Sequence, residues 1–442
     1  MSSLAHVVIV GGGFGGLAAA KALADSPVRV TLVDRHNYHL FQPLLYQVAT
    51  ASLSPGDIAS PIRWVLRQQQ NLKVILADVR GIDTANKRLT LDQGPAEPGH
   101  YRVGTEDEAR GIGELSYDYL ILCAGATHAY FGHPEWAKLA PGLKTLDDAL
   151  EIRRQVLLAF EAAERETDQA AQERLLTFVI VGAGPTGVEL AGALAEIAQR
   201  TLREDFRSIR PESARIVLIE GSPAVLGAFP ERLREAARKS LQKLGIDVRT
   251  GCVVTNVDAE GVTWKTPAGT EERLRAETVL WAAGVAASPL GKALGVPVDR
   301  AGRIVAEPTL AVPGHPEIFV AGDVCSFMQD DKPLPGVAQV AKQEGAHAAA
   351  NVLHAAKGEP LAPFRYKNYG SMATIGRGSA VADIGPVQAS GFLAWCIWLF
   401  IHIFWLIGFR NRLAVFGEWA WSYGTFQRRV RLITGGRLWP SS

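Results

Sequence analysis

What most restricts the fold of this chain is a pattern that it carries twice. "HVVIVGGGFGGLAAAKAL" begins at His6, and "TFVIVGAGPTGVELAGAL" begins at Thr177, about 170 residues later. In each, a short β-branched run reads as a buried parallel strand, a glycine cluster makes the turn, and an Ala/Leu-rich stretch at helical spacing follows. The next strand of each unit is legible too: "VRVTLVD" from Val28 ends in Asp34, and "ARIVLIE" from Ala214 ends in Glu220. "YDYLILCAGA" from Tyr117, "ETVLWAAGVA" from Glu277 and "EIFVAGDV" from Glu317 read as further strands. Parallel strands with crossover helices predict an α/β fold with two doubly wound Rossmann-like units. Since "FVAGDV" follows the second unit but reads as the closing strand of the first, the second unit is expected to be inserted in the first.

A length of 442 residues fits about three domains, or two with a sizeable appendage. The expected division gives 1–150 and 296–355 to the first unit, 151–295 to the second, and 356–442 to a C-terminal region. A charged helical run from Leu146 to Arg174 leads into the second unit, and a long helix follows Pro335 and Gly336. The Gly-, Pro- and charge-rich stretch from Asp92 is expected to be a surface hairpin loop.

Each glycine cluster predicts a dinucleotide site. In the first, Gly11 allows the tight turn, Gly13 lets the backbone approach a pyrophosphate, and Gly16 lets helix and strand pack closely. The diphosphate then rests on the helix N-terminus, where N–H groups and the helix dipole favour an anion. Asp34, 23 residues beyond Gly11, suits a carboxylate bonding both ribose hydroxyls. A glycine cluster alone is often just a turn; strand, helix and acid together specify more. Gly182, Gly184, Gly187 and Glu220 meet the same tests. Two such sites imply a flavoprotein in which one holds FAD and the other brings a nicotinamide. Glu220, followed by Gly221 and Ser222 without a neighbouring Arg, repels a 2′-phosphate and favours NADH over NADPH.

Composition removes other classes. Lys plus Arg total 46 against 45 Asp plus Glu, so a net charge of +1 gives no basis for nucleic-acid binding. Cys123, Cys252, Cys325 and Cys396 are widely spaced and form no CxxC pair or metal-ligand cluster, so reduced thiols and no metal site are expected. The N-terminus lacks the basic region of a secretory signal and runs straight into a strand pattern.

Together these residues make the chain resemble the type II NADH:quinone oxidoreductases, single-subunit flavoprotein NADH dehydrogenases of the pyridine nucleotide-disulfide oxidoreductase superfamily. The resemblance runs over nearly the whole chain. It is carried by the first glycine motif, "HNYHLFQPLLYQVATASLSPGDIASPIR" from His36, the second motif with Glu189 inside it, "LWAAGV", "VAGDV", and "AQVAKQEG" from Ala338. It implies FAD contacts at Asp323 on the ribityl or phosphate region, and a cofactor-contacting set extending to Phe14, Gly15, Arg35, Pro43, Leu44, Gly125, Gly284, Ala338 and Gln339. It also implies that the N-terminus of the Ala338 helix lies near the flavin pyrimidine. Gln339 and Gln343, four apart on one helix face, are two amides able to bond a quinone carbonyl, though Gln at such positions commonly faces solvent. Glu189 sits on a helix face that packs against a sheet; the family has an acid here near nicotinamide and flavin, linked to proton delivery toward quinone. Tyr369 stands where many members have a Lys that would partner it. Sulfide:quinone reductases share the fold and use a cysteine pair, but Cys123 and Cys325 read as buried structural thiols.

The last 54 residues hold six of the ten tryptophans and six arginines against one Glu, a net +5, leaving −4 for everything before. Ala389 to Phe409 is 21 residues without formal charge, long enough to span a bilayer core as a helix. Its four Phe and three Trp favour the interface. The stretch after it, with Arg410, Arg412, Arg428, Arg429, Arg431 and Arg437, reads as an amphipathic helix on an anionic surface. The resemblance, to a family that attaches through C-terminal helices, implies a monotopic anchor in preference to a transmembrane helix near 389–409, with the catalytic domains on the cytoplasmic side of the inner membrane. The chain reads as an FAD-dependent NADH:quinone oxidoreductase of the respiratory chain, electron transport without ion pumping, with NADH, membrane quinone and the lipid bilayer as partners. A homodimer is one assembly compatible with it. A sulfide:quinone reductase, and a non-respiratory NADH-binding flavoprotein acting through partners, are the alternatives.

Overall fold

The computed structural model describes residues 4–92, 112–407, 409–425 and 430–434, with only the backbone of 112, 409, 410 and 422–425. The body of the loop expected after Asp92, and the side chains of Arg410, Arg428, Arg429 and Arg437, lie outside the described residues. The chain forms two compact units: Met1–His39 with Ser60–Thr127 and Val285–Asn368, and Leu40–Ala59 with His128–Gly284 and Tyr369–Ser442.

The first unit is built on a six-stranded sheet in the order Ala311–Val312, His315–Val320, Tyr119–Leu122, Ala5–Val10, Val28–Asp34, Leu72–Leu76. Ala5–Val10 pairs in parallel with Val28–Asp34 on one side and Tyr119–Leu122 on the other. His315–Val320 joins Tyr119–Leu122 in parallel as well, so a strand from beyond the second unit closes the first sheet. Strand order reverses at Ala5–Val10, which puts the first glycine turn at the switch point where such sheets bind ligands. Val7, Val8, Ile9, Val30, Leu32, Leu120 and Ile121 have no exposed surface, as expected of strands covered on both faces. The residues flanking the undescribed loop, Arg88–Asp92 and Ile112–Ser116, pair as an antiparallel hairpin.

The second unit repeats the plan with a four-stranded parallel sheet, Asp247–Thr250, Arg215–Glu220, Thr177–Val181, Thr278–Trp281. It adds two antiparallel meanders, Val253–Asp258/Gly261–Lys265/Glu271–Arg275 and Ser371–Gly376/Ser379–Ile384/Val387–Gly391. The single helical run expected from Leu146 to Arg174 is two helices, Leu146–Arg165 and Gln169–Leu175. The break comes where Asp168 accepts a hydrogen bond from Ala171 N–H as an N-cap and starts the second.

The unit boundaries fall at 127/128, 284/285 and 368/369 rather than at 150, 295 and 355, and Leu40–Ala59 joins the second unit. The C-terminal region shares a core with that unit instead of standing alone. Trp419 Nε1 donates to Gln47 Oε1 (2.7 Å), and the Trp398 ring stacks on both Trp419 and His402.

The 21-residue apolar stretch is not one helix. Ala389 to Gly391 complete the Val387–Gly391 strand, Phe392–Trp405 is a 14-residue helix, and Phe409–Thr425 is a second one. Fourteen residues rise only about 21 Å, short of the roughly 30 Å hydrocarbon core. Among the described residues no helix is long and apolar enough to cross a membrane.

Candidate functional site

The two glycine turns are built alike. Gly11 and Gly182 have φ of +103° and +100°, and a Cβ on Gly11 would sit 2.2 Å from the carbonyl oxygen of Cys123. Their N–H groups donate to Val33 and Ile219, stitching each turn to the neighbouring strand. A Cβ on Gly16 would lie 1.7 Å from Gly11 O, and one on Gly187 1.8 Å from Gly182 O. Gly13 and Gly184 differ: a Cβ there would meet no protein atom within 4 Å. No side chain caps the Phe14–Ala22 or Pro185–Glu196 helix. Bare backbone therefore faces open space at two helix N-termini, which fits a diphosphate in each.

The acids match as well. Asp34 accepts from Gly12 N–H (2.5 Å) and His36 N–H (2.7 Å). Glu220 accepts from Ala183 N–H (2.6 Å) and Ser222 N–H (2.7 Å). Each carboxylate is thus fixed by the turn it serves, and its oxygens keep lone pairs for ribose hydroxyls.

Other expected FAD residues are distributed unevenly. Phe14 meets the His39 ring edge-on at 4.9 Å. Gly125 (φ +68°) has open space around it, whereas a Cβ on Gly284 would press on Phe131 in the second unit. Arg35 is exposed. Pro43 and Leu44 belong to the second unit, where Leu44 is fully buried.

Asp323 sits in the short Gly322–Val324 turn after the closing strand and lines a recess with Arg303, Cys325, Gly336 and Glu344. Beside it runs the Ala338–Ala356 helix, which crosses the Phe14–Ala22 helix so closely that a Cβ on Gly345 would lie 2.1 Å from Gly15 O. Ala338 and Gln339 are half-buried in its first turn. Gln343 is not a second free amide: its Nε2 donates to Lys367 O (3.0 Å) and its Oε1 accepts from Lys367 N–H (2.9 Å). A backbone segment passing that helix face, invisible in helical spacing, bonds both ends of the amide and leaves it one N–H and one lone pair.

Glu189 is forced into the protein by the same kind of close crossing. A Cβ on Gly192 would lie 1.8 Å from Ile375 O, so the Pro185–Glu196 helix lies hard against the Ser371–Gly376 strand. Desolvation pushes the Glu189 pKa up to about 8, against a weak, 3.5 Å hydrogen bond from Thr374 N–H. Part of its surface remains accessible, and desolvation of the carboxyl favours its protonated form. Tyr369 is 53% exposed.

Two residues escaped the sequence reading. Glu344 is 1% exposed, with its pKa pushed up to about 8, first by burial. Its signal was an acid on the stripe Val340, Ala341, Ala348, Val352, all buried. His39 is buried with Nδ1 3.0 Å from Gly12 O, and burial pulls its pKa down to about 4, so a neutral ring donates to the glycine turn. Cys123 and Cys325 are free and buried, and burial raises both thiols well above their ordinary value. Protonated thiols are poor nucleophiles, so the two buried cysteines lend a sulfide-oxidising pair no support.

Comparisons with known proteins show the family. Residues 5–345 match the family model described as pyridine nucleotide-disulphide oxidoreductase, and 368–428 match the NDH2 C-terminal domain. The type II NADH:quinone oxidoreductase NdhA of Mycobacterium tuberculosis is 47% identical over 98% of this chain and 90% of its own length. The type II enzyme Ndh of the same organism is 44% identical over 97% of this chain and 90% of its own. Among solved structures, NDH2 from Plasmodium falciparum in complex with NADH is similar in fold (TM-score 0.86, 20% identity, 98% of this chain, 100% of that one). The sulfide:quinone oxidoreductase of Aquifex aeolicus shares the fold less closely (TM-score 0.71, 17% identity, 92% of each chain).

Proposed function

The chain belongs to the type II NADH:quinone oxidoreductases, and from that premise we infer how its residues divide the work. It is an FAD-dependent NADH dehydrogenase that passes electrons to a quinone without pumping protons. The observation that carries the assignment of roles is the pair of matched clasps, each an uncapped helix N-terminus with an acid fixed by two backbone N–H groups. Gly11, Gly13, Gly15 and Gly16 bring main-chain N–H groups of the Phe14 helix to the FAD diphosphate, Asp34 takes the ribose hydroxyls, and Asp323 takes the ribityl or phosphate region. Gly182, Gly184, Gly187 and Glu220 do the same for NADH. Bound FAD supplies the two-electron exchange between nicotinamide and quinone.

The chain's own contribution is positioning and electrostatics. The positive end of the Ala338–Ala356 helix favours negative charge nearby. Gln339 serves the quinone carbonyl, while Gln343 fixes the Lys367 backbone. Glu189, its pKa raised to about 8 and its carboxyl in a long 3.5 Å contact with Thr374 N–H, supplies a proton toward quinone chemistry. Steady-state NADH oxidation with a short-chain quinone analogue tests the assignment. Turnover that depends on quinone, with flavin absorbance bleached by NADH alone, is expected; bleaching without quinone-dependent turnover favours a binding flavoprotein.

Membrane attachment is read from the C-terminal helices. The Phe392–Trp405 helix turns Ala394 and Trp398 inward and leaves Phe392, Leu393, Phe400 and Phe404 more than 60% exposed, and the next helix exposes Leu413, Phe416 and Trp421. This apolar outer face suits a helix lying in the lipid headgroup region, on the cytoplasmic face of the inner membrane. Arg431 does not serve that surface: it pairs with Asp205 and donates to Thr201 O. Because Trp398 and Trp419 belong to the core, deleting everything after Ala389 would unfold more than an anchor. Replacing Leu393, Phe400 and Phe404 by Glu is the cleaner test. Loss of sedimentation with anionic lipid vesicles, at unchanged turnover of a soluble quinone, is expected; undiminished sedimentation refutes the anchor.

A further inference from the structure

We propose that Glu344 is the positioning residue of the FAD site: its carboxyl closes the Gly322–Cys325 turn from inside and so sets where Asp323 presents its own carboxylate. The inference rests on the reading of Asp323 as an FAD ligand and extends it to a residue with no role so far.

A carboxyl on a stripe of buried apolar residues is costly unless it is bonded. Glu344 Oε2 accepts from Gly322 N–H at 2.6 Å, and the Cys325 thiol is its second partner. Those two contacts bracket Asp323 on both sides of the turn. Gly322 holds φ at +76°, a backbone shape that needs support from outside the turn. The turn is also fitted closely to the backbone just before the Ala338–Ala356 helix, since a Cβ on Gly336 would lie 3.1 Å from Asp323 Oδ1. Asp323, Cys325 and Glu344 line one recess, so displacing the Glu344 carboxyl moves the wall that carries Asp323.

The protonation state of Glu344 matters to an anionic cofactor. The titratable and charged groups facing it are Asp323 and Cys325 on the turn, Cys123 just past the Tyr119–Leu122 strand, and Arg303. Burial, then the Asp323 charge, pushes its pKa up to about 8, opposed by the Gly322 N–H, Arg303 and Cys325. Below that pH the carboxyl is neutral and braces the turn without adding charge. Above it, a second negative charge stands beside Asp323. FAD carries a diphosphate and prefers the neutral form, so its retention weakens as pH rises through this value.

FAD release from the diluted holoenzyme, followed by the rise in flavin fluorescence between about pH 6.5 and about pH 9.5, tests this. Wild type should release FAD roughly tenfold faster at the upper end. Glu344→Gln should release slowly at both ends, because an amide still accepts from Gly322 N–H and never ionises. Glu344→Ala should release quickly at both. A wild-type pH dependence in Glu344→Gln overturns the proposal, as does wild-type retention in Glu344→Ala; if the Ala variant fails to fold, the Gln variant decides alone. Asp323→Asn separates the two readings. Wild-type retention in Asp323→Asn removes Asp323 as a ligand, whereas fast release there beside unaltered Glu344→Ala sinks the Glu344 inference only.

Discussion

The two glycine-led helices share their N-termini and differ in what presses on their flanks. In both, the first glycine has φ near +100°, the last touches the first glycine's carbonyl, and an acid accepts two backbone N–H bonds. The Phe14–Ala22 helix is crossed by another helix at Gly15 and Gly345, and the Pro185–Glu196 helix by a strand at Gly192 and Ile375. Beside each crossing stands one Glu whose pKa desolvation pushes up to about 8. Glu344 is tied by a 2.6 Å bond to Gly322 N–H, while Glu189 accepts from Thr374 N–H at 3.5 Å. The tightly bonded acid is the one proposed as a brace, and the loosely bonded one is the one proposed as a proton donor. Burial alone raises a pKa; the partner decides what the group is for.

The sharpest way to break the likeness is to add one methyl group. Gly16→Ala should yield protein without bound flavin absorbance, because its Cβ falls 1.7 Å from Gly11 O. Gly187→Ala should keep the flavin and weaken NADH binding on the order of 100-fold, read from bleaching by NADH. Flavin loss from Gly187→Ala would show that the clasps are not separate sites.

Glu189→Gln should lower quinone-linked turnover roughly 100-fold while leaving bleaching by NADH fast. A raised carboxyl is a proton donor only below its pKa, so wild-type turnover should fall as pH rises through about 8. Unchanged turnover in this variant, or a flat wild-type profile, rules Glu189 out as the donor.

The matching acids should fail separately. Glu220→Ala should raise the KM for NADH about tenfold or more with flavin retained, and Asp34→Ala should release FAD, since each loses bonds made by an ionised acceptor. A raised KM from both, with flavin kept, would merge the two roles.

Stability tests the buried pair. With an unfolded value near 4.5 and a folded value near 8, each Glu binds more protons folded than unfolded within that window. Stability should therefore fall as pH rises from about 4.5 to about 8, and level off above. Glu189→Gln and Glu344→Gln should each flatten this loss by a few degrees of Tm; an unaltered slope in both would place the acids in contact with water. The smallest effect is expected from Arg431→Ala, at most about 1 kcal/mol by chemical denaturation, because the Asp205 pair is near the surface.

The clasps were legible because everything in them is local: strand, turn, helix and acid succeed one another within about 40 residues. The engagement of Gln343 was not legible for the opposite reason, since the Lys367 backbone that bonds it is brought there only by folding. Ala389 to Phe409 was apolar enough for a membrane span, but strand pairing claims its first residues and the helix ends at Trp405.

By itself the sequence determined two α/β units of mainly parallel strands, the second inserted in the first, each with a glycine turn and an acid after its second strand, because glycine conformation and strand pattern act over short spans. Only the tertiary structure decided which carboxyls are neutral and which amides are engaged. Desolvation depends on what packs against a group, and the segments that pack against Glu189, Glu344 and Gln343 come from elsewhere in the sequence.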